Sequence, residues 1–173
     1  MKNEVMNRAM PPLIRRPKPE DASDVARICR LGWQQTVEGR LSESHQQQIV
    51  DFWYAESKVQ QDIGRGHYSY VAVVDGRVAG VIGGGKAGAD AAEIHVFYVD
   101  EAYRYQGVGS MLLDELTRHH HQKGFQSQWV SVQEGNMYGL PFYESRGFEY
   151  AGRKVRSTGT GEVQISVRYR RSI

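Results

Sequence analysis

A pair of glycines stands where the chain changes its period. Before it, Ala92 to Asp100 (AEIHVFYVD) reads as a strand. On strict alternation Glu93, His95, Phe97 and Val99 share one face, and Ile94, Val96 and Tyr98 the other. After it, RYQGVGSMLLDEL turns helical, with Val108, Met111, Leu112, Glu115, Leu116 and His119 along one side. Lys123 and Gly124 mark the helix end. Strand, tight loop and helix therefore meet at Gly107 and Gly109. The first N–H groups of a helix lack internal partners, and the macrodipole places positive potential on them. A diphosphate can accept those bonds if no bulky side chain stands in its way. Arg104 adds a cation. From spacing alone, an anion cradle and a plain strand–helix turn fit equally well.

Rival phosphate motifs fail on their own terms. A dinucleotide-binding loop needs glycine or alanine three residues after the second glycine, and that position is Leu112. Gly83 to Gly85 run straight into Lys86 without a Gly-Lys-Ser/Thr pattern, so they are no nucleotide P-loop. His119, His120 and His121 suggest a metal tract, but neighbours on a helix point about 100° apart and cannot converge on one ion. A solvated helix end is expected there, and no metal site. The single cysteine, Cys29, excludes an intrachain disulfide. It shares a helical face with Val25, Ile28 and Gly32, which predicts a buried thiol.

Charge and hydropathy narrow the partners. Lys and Arg number 22 against 20 Asp and Glu, so no broad nucleic-acid surface is expected. No apolar run approaches the roughly 20 residues of a membrane span. The first ten residues lack the apolar stretch of a signal peptide. They read as a loose arm (1–10) ahead of one domain (11–173), in a cytoplasmic protein.

The remaining elements complete an α/β pattern. Leu13 to Arg16 is a short strand. Pro19, Glu20, Asp21 and Asp24 suit the start of a first helix. A second helix is expected from about Ser44, where Ser44 and Gln47 have capping-box spacing. It carries Ile49, Phe52, Trp53, Val59 and Ile63 and stops at Gly64 and Gly66. Asp75-Gly76 joins two valine-rich runs as a hairpin. Ser127 to Val132 is a further strand. NMYGLPFYESRGF is a short helix that starts near Leu140, because Pro141 belongs in a first turn. Glu149 to Arg156 and Glu162 to Arg170 are the last strands. One mixed, mostly antiparallel sheet of about six to seven strands, flanked by about four helices on both faces, is expected.

With these elements in place, Arg104-x-x-Gly107-x-Gly109 resembles the acetyl-CoA signature of the GNAT-type N-acetyltransferases. Asn136-x-x-Gly139-x-x-Phe142-Tyr143-Glu144-x-x-Gly147-Phe148 resembles the run that follows it in that family. The resemblance spans nearly the whole chain and implies a single-domain GNAT-like fold with acetyl-CoA as cosubstrate. It implies that backbone amides over Gln106, Gly107, Val108, Gly109 and Ser110, with Arg104 and Tyr105 beside them, hold the diphosphate. Phe97, Tyr98 and Val99 would pair with the pantetheine arm, and the Val99 N–H would polarise the thioester carbonyl. Asn136 would bind cofactor or water. Tyr143 would face the thioester sulfur. Gly139 stands where the family usually has alanine.

The chemistry so implied is acyl transfer to a primary amine. The ammonium must lose a proton, since its pKa is about 10.4 for a lysine-like amine. Glu93 lies eleven residues before Arg104, the spacing of family members, including histone acetyltransferases, that use a glutamate base. His95, two residues on, could share a water relay. Tyr143 is the candidate acid. The first two helices would wall the acceptor, through Trp33, Thr36, Glu38, Arg40, Trp53 and Tyr54. A small-molecule amine and a protein amine both remain open. A homodimer through the C-terminal strands is a further option. The alternative is a sensor or partner-binding module that holds acetyl-CoA without turnover.

Overall fold

The computed structural model describes residues 10–159 and 161–173. Apart from Met10, the expected N-terminal arm lies outside the described residues. Seven strands form one sheet: β1 (Leu13–Arg15), β2 (Tyr70–Val74), β3 (Arg77–Lys86), β4 (Ala91–Val99), β5 (Ser127–Gln133), β6 (Glu149–Ser157) and β7 (Val163–Ser172). Their order is β1-β2-β3-β4-β5-β7-β6. The β4–β5 pair is parallel and every other pair antiparallel. Five α-helices accompany them among the described residues: α1 (Ala22–Val37), α2 (Glu43–Trp53), α3 (Glu56–Gly64), α4 (Val108–Gln122) and α5 (Gly139–Glu144).

The expected second helix is thus two helices. The chain leaves helical geometry around Tyr54 and Ala55, and Ala55 is extended at φ −64° and ψ 138°. The cap is Ser42 rather than Ser44, since the Ser42 hydroxyl accepts from the His45 N–H at 3.2 Å. α5 begins at Gly139, one residue before the expected start, with Pro141 in its first turn as its missing N–H requires.

Each face of the sheet has its own core. α4 covers one face with Val108, Leu112, Leu113 and Leu116, which meet Ile82, Ile94 and Val130. α1 and α3 cover the other through Val25, Ile28, Cys29 and Val59 against Val71, Val81 and Val96. Each such side chain contributes about 1.5–3 kcal/mol when fully buried. Cys29 is fully buried, and burial pushes its thiol pKa up.

The strict alternation expected for β4 does not hold. Gly83 of β3 pairs with Val96 and Gly84 with Ile94, so His95 is an extra residue in a β-bulge. Beyond the bulge the faces exchange. Phe97 and Val99 join Ile94 on the α4 side, while Val96 and Tyr98 pack toward α1 and α3. Glu93 and His95 therefore do not share a face with Phe97 and Val99. Period-2 reasoning cannot see an inserted residue whose cause lies on the neighbouring strand.

Candidate active site

The parallel pairing of β4 and β5 lasts from Ala91–Ser127 to Ile94–Val130 and then stops. Past Ile94 the strands diverge and leave a cleft of about 740 Å³. It is lined by Phe97 to Val99 on one lip and Ser131 to Gln133 on the other, and it reaches Gly107, Gly109 and Ser110. The β4 lip carries free donors. The Asp100 N–H bonds the Ala79 carbonyl at 2.8 Å, and alternation along an antiparallel ladder turns the Phe97 and Val99 N–H groups away from β3. They point into the cleft.

At the end of the cleft stands the α4 N-terminus. α1, α2 and α3 each carry an acidic side chain in the first turn: Asp24, Glu43 and Glu56. α4 carries none, and its Ncap, Gly107, makes no side-chain cap. Its dipole and first amides are left for an outside anion. The glycine pair divides its labour. Gly107 has φ +83°, a left-handed conformation that disfavours a side chain. At Gly109 the φ is ordinary, and a Cβ would sit 3.5 Å from Phe142 and Phe97, in normal contact. Tyr105 also has positive φ, 61°, and its side chain is almost fully exposed.

Arg104 spans the mouth. It donates to the Gln35 Oε1 on α1, and its guanidinium lies 4.7 Å from the centroid of the Tyr138 ring. Gln106 donates to the Ala102 carbonyl at 3.2 Å, which secures the loop before α4. Arg146 lines the same cleft, donates to Ser110 and stacks on Phe142. No spacing rule picks out Gln35, Tyr138 or Arg146 in the sequence.

Asn136 lines the cleft, but its Oδ1 is engaged. It accepts from the N–H groups of Tyr138 and Gly139, both at 3.0 Å, and so tethers the start of α5. A Cβ on Gly139 would lie 2.9 Å from Asn136 Nδ2, so a side chain there would have to shift the Asn136 amide. Tyr143 also lines the cleft. Its ring is 6% exposed among Phe97, Phe142 and Phe148, and no hydrogen bond holds its hydroxyl among the described residues. Burial raises its pKa above the ordinary phenol value and keeps it protonated.

The two candidate bases are placed differently. Glu93 does not line the cleft; its carboxylate accepts from Arg168 of β7, which also donates to Ser131 at 2.8 Å. His95, lifted out by the bulge, does line it. From the expected acceptor wall, Trp33 and Thr36 line the cleft. Tyr54 instead packs into the core under α1. Glu38 is exposed at the α1 C-terminus. The Arg40 guanidinium presses against Gly135. Ser42 donates to Glu162 through its N–H at 2.7 Å and its hydroxyl at 3.0 Å. These contacts join the α1–α2 loop to the loops after β5 and β6.

The expected solvated histidine tract is corrected in one respect. His120 is 1% exposed and meets Gln128 Nε2 at 3.2 Å, while His121 faces solvent. The helix phase that buries Leu112, Leu113 and Leu116 carries His120 inward with them. Among the described residues no group of histidine, cysteine and carboxylate side chains could hold a metal ion. No described helix is long and apolar enough to cross a membrane.

The chain matches the acetyltransferase (GNAT) family over residues 26–148. It is similar to the PaiA N-acetyltransferase from Thermoplasma acidophilum, solved in complex with coenzyme A. That likeness has 25% identity, covers 91% of this chain and 98% of that one, and has a TM-score of 0.72. Ard1 from Thermoplasma volcanium is also 25% identical, with 95% and 99% covered and a TM-score of 0.67. A GCN5-related N-acetyltransferase from Rhodopseudomonas palustris, 22% identical, shares the fold over 95% of this chain and 98% of its own, at a TM-score of 0.75. No curated protein matches the chain.

Proposed function

We propose, given that the chain belongs to the acetyltransferase (GNAT) family and that acetyl-CoA is its cosubstrate, that it transfers the acetyl group directly to a primary amine. The observation that carries this reading is the divergence of β4 from β5. It leaves two N–H groups, those of Phe97 and Val99, beside an uncapped helix end. The amides from Gln106 to Ser110 hold the diphosphate, with Arg104 and Tyr105 at its rim. The pantetheine arm lies along Phe97, Tyr98 and Val99 as an added strand, and Asn136 borders it.

The acceptor's ammonium gives its proton to a relay of His95, in reach of the cleft, and Glu93, acting through water. The freed lone pair attacks the thioester carbon, so a C–N bond forms and the carbonyl oxygen becomes an oxyanion. The Val99 N–H donates to that oxygen, in a site where a fixed dipole is worth far more than water. The C–S bond then breaks, and the departing thiolate takes the Tyr143 proton. The second proton of the acetylated nitrogen passes through water to restore the Tyr143 hydroxyl, leaving a neutral amide. No acyl-enzyme is required.

The test is an amine panel. The purified chain is incubated with acetyl-CoA and small amines, polyamines, amino acids or peptides, with thiol release and product mass followed together. An acetylated amine is the expected product. Thiol release without any acetylated product would refute transfer to an amine.

A further inference from the structure

The three glycines Gly83 to Gly85 have no phosphate to hold, yet two of them are sterically required. A Cβ on Gly83 would lie 2.3 Å from the His67 carbonyl oxygen, and one on Gly84 would lie 2.4 Å from the Glu93 carbonyl oxygen. The first contact brings the loop before β2 hard against β3 and sets His67 over the bulge. The His67 and His95 rings then lie 4° from parallel with centroids 6.1 Å apart. Trp53 of α2 also lies nearly parallel to His67, with ring centroids 6.5 Å apart and planes at 15°. The His67 N–H bonds the Asp62 carbonyl at 3.0 Å, which fixes the loop. A second cavity of about 300 Å³ opens here, lined by His67, His95, Gly84 and Gly85. His95 thus stands between this cavity and the main cleft.

We infer that His67 is a positioning residue: its ring clamps the His95 imidazole in the orientation that receives the acceptor's proton. The inference rests on the acetyl-transfer reading in which His95 belongs to the base relay. An exposed histidine on a bulge has several rotamers open to it, and a flat ring against one side removes most of them. The platform must be uncharged, since an imidazolium would repel the proton that His95 is to accept. The surroundings supply this. Burial lowers the His67 pKa, and His95 and Lys58 push the same way. Asp62 opposes them, but Lys58 and Arg65 sit on its carboxylate at 3.0 and 3.6 Å. Trp53 and Tyr68 complete the contacts without charge. Among the described residues no group of three or more histidine, cysteine and carboxylate side chains forms here that could hold a metal ion.

The test compares three His67 variants with His95→Gln, using the best amine from the panel. His67→Ala should lower kcat about tenfold and leave acetyl-CoA affinity unchanged. His67→Phe, a flat neutral ring, should restore most of the loss. His67→Lys places a fixed cation beside His95 and should move the acid limb of the kcat/KM profile to lower pH. His95→Gln should cost at least as much as His67→Ala. Wild-type kcat in His67→Ala, no recovery in a folded His67→Phe, or full activity in His95→Gln would each overturn the inference. Inactivity of the parent chain toward every amine would instead defeat the acetyl-transfer reading on which it rests.

Discussion

Tyr98 occupies the space that a side chain on Gly32 would need. A Cβ at Gly32 would stand 2.3 Å from Cδ1 of the Tyr98 ring. α1 therefore packs against β4 with bare backbone on one side and a half-buried aromatic on the other. Tyr98 lies between Phe97 and Val99, the residues whose N–H groups face the cleft. Gly32→Ala should push the ring or the helix aside at a cost of about 1–3 kcal/mol. The shift reaches the open edge of β4, so acetyl-CoA should also bind more weakly. Urea unfolding and calorimetry check both effects. A wild-type midpoint together with wild-type affinity would show that Tyr98 yields without consequence.

Gly107 and Gly109 should respond differently to alanine. At Gly107 the φ of +83° costs an L-residue about 1–2 kcal/mol. Relaxation of that strain would turn the first α4 amides away from the diphosphate. Coenzyme A affinity should fall about tenfold, which corresponds to about 1.4 kcal/mol. At Gly109 a Cβ meets its neighbours at 3.5 Å, so Gly109→Ala should stay within about threefold of wild type. Equal losses in the two variants would contradict the distinction.

Tyr143→Phe should separate binding from chemistry. The ring packs among Phe97, Phe142 and Phe148, and phenylalanine keeps those contacts. Only the hydroxyl is lost. A positioned acid typically contributes 10²–10⁴-fold. A thiolate of ordinary pKa, about 8.5, can draw on a less exacting source such as water, so a loss near the low end is expected. Turnover should drop about a hundredfold while coenzyme A affinity changes little. Single-turnover rates beside calorimetric affinities decide it, and unchanged turnover removes Tyr143 from the mechanism.

Features set by a few consecutive residues were legible in the sequence. The Gly107–Gly109 turn, the Asp75-Gly76 hairpin and the order of the strands all follow from local period and turn chemistry, while the break between α2 and α3 does not. What escaped depends on neighbours far along the chain. The bulge at His95 is defined against Gly83 and Gly84. The stack of His67 on His95 needs β3 glycines to let a loop approach. Asn136 resembles a ligand-binding residue in its motif, yet its Oδ1 caps the backbone of Tyr138 and Gly139. Glu93 has the spacing of a base, but only the tertiary fold brings Arg168 onto it from β7.

The burial of His120 makes stability depend on pH. Its Nδ1 meets the Gln128 side chain, and its Nε2 is buried without a partner among the described residues. With Gln128 donating, Nδ1 is the acceptor and Nε2 carries the hydrogen. Gln128 cannot turn over freely, because Arg171 donates to its Oε1 at 3.1 Å and Thr117 at 3.2 Å. Burial, followed by the nearby His119, Lys123 and His95, lowers the His120 pKa from 6.5 to about 4. The folded state therefore resists a proton that the unfolded chain accepts. Between about pH 6.5 and 4 the unfolded state binds more protons, so stability rises with pH and is lost as pH falls through that window. For a shift of this size, the loss between neutral pH and pH 5 is about 2 kcal/mol. Urea unfolding at the two pH values should show it, and His120→Gln should flatten the dependence. The same slope in both proteins would mean that the proton is taken up elsewhere.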